Sequence, residues 1–194
     1  MTDAGRRLPV VGSAPAPAAP PAFQRIAVVG LGAIGGSLAL ALRRAWPPTL
    51  VIGVDTHDVI ETAIRLHAID VGSDDLVIAA AADLVVLAAG AEENARAMPY
   101  LADAIAGGAV VLALGGGDLV AERARDLPER LPVVGGMPAV ELPGRGLTAA
   151  SADLFRGRPW FLGPITAGAD AVARVQELVR AVGGVVPERP RDTV

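Results

Sequence analysis

The sequence predicts an α/β domain built on a doubly wound, mostly parallel sheet with helices on both faces. Three observations carry that expectation. From Arg25 onward, short apolar runs alternate with segments of helical periodicity, the signature of repeated βαβ units. Gly30, Gly32 and Gly35 fall between the first such run and the first helical segment, and Asp55 closes the second run.

The elements follow in order. RIAVVG (25–30) is a short apolar run closed by glycine, as expected of a strand buried on both faces of a parallel sheet. In LGAIGGSLALALRRA, Ile34, Leu38, Ala41 and Leu42 recur at helical spacing, and LVIGVD (50–55) is the second strand. One right-handed βαβ unit accounts for all three. A helix is expected over 59–66, a strand over 83–89, a helix from about 93 to 105 and a strand over 109–114. A helix near 119–127, strands at 132–136 and 159–163, and an amphipathic helix at 169–181 complete the pattern. The predicted organisation is a Pro/Ala-rich leader at 1–22, a single domain at 23–186, and a tail at 187–194.

Composition excludes several chemistries. All 17 basic residues are arginine and the net charge is −4, so there is no lysine for a Schiff base or a P-loop. No basic cluster suggests a nucleic-acid partner. With no cysteine, disulfides, thiol nucleophiles and Cys-ligated metals drop out. Mean hydropathy is +0.47, yet acidic residues interrupt the apolar runs short of a membrane span. The leader lacks the continuous apolar core of a signal peptide. The expected location is the cytoplasm, with no membrane partner.

The glycines match G-x-G-x-x-G at a strand-to-helix turn. Gly30 suits a tight turn, Gly32 lets backbone approach a pyrophosphate, and Gly35 lets the helix pack on the sheet. The helix N-terminus offers free N–H groups to the anion, so no lysine is needed. Asp55, 25 positions after Gly30, stands where adenosine ribose hydroxyls would lie. A Rossmann-type domain binding NAD is the reading. NADP is disfavoured because a carboxylate would repel its 2′-phosphate and no arginine follows Asp55. The candidate cofactor residues are Gly30, Leu31, Gly32, Ala33, Ile34, Gly35, Asp55 and Ala88. The competing reading is that the glycines merely shape a turn and Asp55 caps the next helix.

His57 reads as a surface loop residue and His67 as a solvated helix end, both toward the adenine side. Asp74, Asp75 and Asp83 read as loop and capping residues, with no metal site expected, and Trp46 and Trp160 as packing residues.

GLGAIGGSLALALR (30–43), VIGVD (51–55), AIDVGSDDL (68–76), ADLVVLA (82–88) and ADLFRGRPWFLGP (152–164) together resemble the nucleotide-binding domain of prephenate dehydrogenases over residues 25–186. The resemblance implies oxidation of prephenate, or its amino analogue arogenate, with hydride passing to NAD(P) and carbon dioxide lost, on the route to tyrosine. It also implies a catalytic histidine in a GG-H-P segment, which here reads GGMPAVE with Met137 in that place. An Asp-x-Gly-Ser segment is implied after the fourth strand; here it is ALGGGD, with Ala113 for the acid and Gly116 for the serine. The loop at 88–93 reads AAGAEE where a Thr-Pro pair is common.

A C-terminal helical domain, which supplies substrate contacts and the dimer interface in the family, is expected to be absent from this chain, leaving the oligomeric state open. These departures point to a divergent member with weak or no family activity, its catalytic residues unassigned. The runner-up is an NAD-binding sensing or partner-binding module without catalysis. Glu92, Glu93, Asp118 and Glu141 are alternative carboxylates for an acid–base pair in the changed loops.

Overall fold

The computed structural model of the chain describes residues 20–187. Strands β1 (Arg25–Val29), β2 (Leu50–Val54), β3 (Val71–Ser73), β4 (Leu84–Leu87), β5 (Val110–Leu114), β6 (Val133–Pro138) and β7 (Trp160–Pro164) form one sheet in the order 3-2-1-4-5-6-7. Only the β6–β7 pairing is antiparallel. The helices are α1 (Ala33–Ala45), α2 (His57–Arg65), α3 (Ala91–Ala104), α4 (Gly117–Arg125) and α5 (Ala169–Ala181). This is the expected α/β Rossmann-type sheet.

Strand alternation splits the core in two. Ile26, Val28, Leu84, Val86, Leu112 and Val134 face α1, α2 and α5. Ala27, Val29, Val85, Leu87, Val111 and Val133 face α3 and α4. Each central strand is buried on both sides, which is why these strands read as unbroken apolar runs.

Several boundaries differ from those expected. Helices α2, α3 and α4 begin at His57, Ala91 and Gly117, each about two residues earlier than apolar periodicity suggested. Their first turns are polar and so carry no periodic signal. Asp58, Glu92, Glu93 and Asp118 sit there, where the helix dipole favours negative charge. Strand β3 was not anticipated because it is a three-residue edge strand without a buried run. A 3-10 turn over Leu76–Ala81 is capped by Asp75, which accepts the Val77 N–H at 2.9 Å. Of the 1–22 leader only residues 20–22 are described, and of the 187–194 tail only Pro187; the remainder lies outside the described residues.

The long excursion between β6 and β7 is fastened to α1. Gly36 lies against Leu147 and Ala150, leaving no room for a side chain. The fully buried Ser37 donates to the Ala33 carbonyl and accepts the Ser151 N–H at 2.9 Å. Arg44 pairs with Asp153 at 2.8 Å. Hydrogen bonding to Arg44, then its charge, holds the Asp153 carboxyl below the usual range. The pair's contribution is therefore present above the unfolded carboxyl's pKa and lost as pH falls through the lowered folded value. At this exposure it is small. Farther along, Phe155 and Trp160 are fully buried, with ring centres 5.0 Å apart in an edge contact. In this chain the GGS and DLFRGRPW segments thus perform packing work. Ser37→Ala should leave the Ser151 N–H without its acceptor and cost about 1–3 kcal/mol, read as a lower urea midpoint with unchanged slope.

Candidate functional site

The chain leaves β1 for β2 on one side and returns to β4 on the other, so the helices that follow the paired C-terminal ends of β1 and β4 lie on opposite faces of the sheet and leave a crevice between their first turns, the place where open α/β sheets bind ligands. Gly30, with φ +89°, makes the turn out of β1. A Cβ on it would lie 2.6 Å from the Ala89 nitrogen and 2.8 Å from the Ala88 carbonyl carbon. Its Cα is therefore stacked on the peptide that ends β4. At Gly32, by contrast, a Cβ would meet nothing within 4 Å: the backbone there is open. Gly35 lies so close to the Gly30 carbonyl oxygen that a side chain could not enter.

Gly36 N–H closes the first bond of α1 onto the Gly32 carbonyl at 2.8 Å. The N–H groups of Gly32, Ala33, Ile34 and Gly35 then have no intrahelical acceptor. Helices α2 to α5 each carry an acid in the first turn, whereas α1 has none. Its positive end is left to an external anion.

Asp55 comes to the same place. Its carboxylate accepts the Leu31 N–H and the Thr56 N–H, each at 2.7 Å. The side chain thus reaches back to the glycine turn, and α2 starts from Thr56 without a side-chain cap. Two backbone donors leave acceptor capacity on the carboxylate for hydroxyl groups. Ala88, half-buried, donates its N–H to the Val29 carbonyl at 2.8 Å and flanks the turn from β4. The predicted residues of the fingerprint are thereby gathered at one end of one crevice.

The histidines are corrected in detail. His57 is the first residue of α2 rather than a loop residue, exposed and 3.3 Å from Glu61. His67, exposed at φ +54° just past α2, lies toward the N-terminal ends of the strands, the end opposite the crevice, since α2 starts at the C-terminal end of β2 and runs antiparallel to it. It is not on the adenine side. Asp83 accepts the N–H groups of Gln24 and Arg25 at 2.9 and 3.0 Å and so anchors the start of β1. Among the described residues no three His, Asp or Glu side chains converge on a metal-sized site.

The far side of the crevice is formed by the ends of β4, β5 and β6. Met137, 59% exposed, stands near the end of β6, one residue past the Gly136–Leu114 pair. Gly115 N–H bonds the Gly136 carbonyl at 3.1 Å, bringing the loop after β5 beside it. Gly115, Gly116 and Gly117 all have positive φ, and a Cβ on Gly116 would run into Val120, whose own Cβ would be 2.9 Å away. Glu92 and Glu93 pair with Arg96 on the surface, and Asp118 and Glu141 are exposed. None of these four carboxylates is brought into contact with Met137 by a hydrogen bond among those of the described residues.

Sequence reasoning missed Asn94. It is fully buried in α3, accepts the Ala89 N–H at 3.0 Å, and donates to the carbonyls of Leu87 at 3.2 Å and Leu114 at 3.3 Å. The available signal was its place in the apolar stripe Asn94, Met98, Leu101, where an amide is kept only if hydrogen-bonded.

A model of the prephenate dehydrogenase nucleotide-binding domain matches residues 38–188. A probable prephenate dehydrogenase, NovF, of Streptomyces niveus is 34% identical over 167 residues, covering 81% of this chain and 43% of that protein. The prephenate dehydrogenase of Bacillus subtilis (strain 168) is 31% identical over 144 residues, covering 72% and 39%. The chain thus spans less than half the length of either relative. The crystal structure of prephenate dehydrogenase from Aquifex aeolicus superposes with a TM-score of 0.78 at 27% identity, over 84% of this chain and 60% of that one. The same enzyme in complex with hydroxyphenyl propionate and NAD+ gives the same TM-score and identity.

Proposed function

Because the chain belongs to the prephenate dehydrogenase family through its nucleotide-binding domain, we propose that residues 23–186 bind NAD in the crevice between β1 and β4. The observation that carries this is the 2.7 Å bond from Leu31 N–H to the Asp55 carboxylate, which unites the glycine turn and the strand-end acid in one binding surface. The residues present fit the cofactor. Open space over Gly32 accommodates a pyrophosphate, and the N–H groups of Gly32, Ala33, Ile34 and Gly35 would hold its oxygens. Leu31 and Gly30 shape the turn, Asp55 would accept the ribose hydroxyls, and Ala88 borders the nicotinamide side.

Bound NAD supplies a hydride acceptor. This chain's own contribution is to bind and orient it, with Asp55 favouring NAD over NADP by repelling a 2′-phosphate. At Met137, a thioether takes no proton at neutral pH, so the position that resembles the family's histidine holds no general base. We therefore read the chain as a divergent cofactor domain with weak or no turnover of prephenate or arogenate.

Titration calorimetry with NAD+, NADH and NADP+ tests the binding. Wild type should prefer NAD+. Asp55→Asn keeps an acceptor for Leu31 but loses the charge, so NAD+ affinity should fall about tenfold and the preference over NADP+ should shrink. An absence of NAD+ or NADH heat with the wild type, or an NADP+ preference that Asp55→Asn leaves unchanged, would refute the reading.

A further inference from the structure

The buried amide of Asn94 lies outside the glycine fingerprint, yet it touches three backbone groups that border the crevice. The β4–β5 ladder ends at the Leu87–Ala113 pair. Beyond that point the two strands part, and each continues into a loop that flanks the far half of the crevice: Ala88–Gly90 and Gly115–Gly117. Asn94 fills the gap with a further rung, its Nδ2 shared between the carbonyls of Leu87 and Leu114 and its Oδ1 taking the Ala89 N–H. The amide orientation is decided by these partners, since two carbonyls require the donor end and an N–H requires the acceptor end.

The third bond has a geometric consequence. The Ala88–Ala89 peptide is trans and planar, so with its N–H drawn to the β5 side, the Ala88 carbonyl is left on the β1 side, where Gly30 stacks against the same peptide. A rotation of that peptide would bring an N–H where a carbonyl now stands. Next to it, the Gly115–Gly117 loop has three successive residues at positive φ and no side chains to hold it. Its backbone is fixed at the Leu114 carbonyl by Asn94 and at Gly115 N–H by Gly136.

We propose that Asn94 is a positioning residue for the nicotinamide half of the cofactor: by tying the ends of β4 and β5 together it sets the width of that half and the face its Ala88 peptide presents. This rests on the NAD reading above. It assigns Asn94 no contact with the cofactor, and it leaves the adenine half, built by Gly32, the α1 N-terminus and Asp55, independent of Asn94.

That independence provides the test. ADP probes the adenine half alone, NAD+ probes both halves. In calorimetry Asn94→Leu should weaken NAD+ binding about tenfold or more, while ADP binding changes less than about twofold; a merely structural role would lower both together or neither. In the wild type, amide NMR should show the Ala89 N–H protected from exchange in the free protein, and its resonance shifted by NAD+ but not by ADP, a readout that stands even where Asn94→Leu does not fold. Equal losses for NAD+ and ADP, an unaltered ratio, or an Ala89 resonance that responds equally to both ligands would overturn the role of Asn94 while leaving the cofactor site intact. A wild type that binds neither ligand would overturn the site itself.

Discussion

Gly30→Ala is expected to lower the unfolding free energy by about 2–4 kcal/mol and to abolish measurable NAD binding. Two effects add. The residue sits at φ +89°, where an L side chain is strained, and the new Cβ would be driven to 2.6 Å from the Ala89 nitrogen. Neither neighbour can yield cheaply, because the atoms in the way are backbone at the end of β4. At about 2–4 °C per kcal/mol for a domain of this size, the melting temperature should drop by roughly 4–16 °C. Gly32→Ala is the informative counterpart. Gly32 has φ −71°, and its Cβ would point into open space, so stability should change by no more than about 1 kcal/mol. NAD binding should nevertheless fall tenfold or more, because the methyl group would occupy the approach of the pyrophosphate. Thermal melts paired with NAD+ titrations separate the two glycines: one supports the fold and the ligand, the other the ligand alone. Equal destabilisation by both substitutions, or a Gly32→Ala protein with undiminished affinity, would contradict this division.

Turnover of prephenate and arogenate by the wild type is expected to lie at least 10²–10⁴-fold below that of an enzyme with a positioned general base. Met137→His alone should not recover it. The imidazole would stand on an exposed strand end beside the glycines 115–117, which carry no side chain to orient it, and misplacement of a base is itself costly. Adding at Gly116 the serine that the resemblance implies is expected to make matters worse. Gly116→Ser places a side chain at φ +107°, with its Cβ driven into Val120, and should cost about 2–4 kcal/mol. The double variant is therefore expected to be less stable than Met137→His and no more active. NADH formation followed at 340 nm with both substrates, together with melting curves, checks each part. Family-like turnover by the wild type would mean that another group takes the proton, with Asp118 and Glu141 the first residues to replace. A stable Gly116→Ser protein would show that the loop relaxes more freely than its three positive-φ glycines imply.

Much of this was legible in the sequence because it depends on local pattern. Two-sided burial makes a central strand an apolar run, and a tight strand-to-helix turn stacked on the neighbouring strand's backbone needs glycine at fixed offsets. The runs at 25–30, 50–55, 83–89 and 109–114 and the turn glycines Gly30 and Gly35 follow from those requirements alone. Met137 and Gly116 are marked in the sequence only through the resemblance, which implies a histidine and a serine at those places. Edge strand β3 and the polar first turns of α2, α3 and α4 were not visible, because hydrophobic periodicity reports burial and these residues are largely exposed.

What only the tertiary structure decided is how distant residues share atoms. That Asp55 reaches back to Leu31 as well as to Thr56 is decided by the parallel pairing of β1 with β2, which sets the turns that follow them side by side. His67 is carried to the opposite end of the strands by the direction of α2, although it lies only 12 positions from Asp55. Asn94 meets Leu114, 20 positions on, because parallel strands must part where their ladder ends and a buried amide can bridge carbonyls there. Gly116 has no room for a side chain because its Cα faces Val120. Each outcome is set by packing between elements far apart in the chain, which brings only a few partners within reach of a carboxylate, an amide or a missing Cβ where the sequence alone names many.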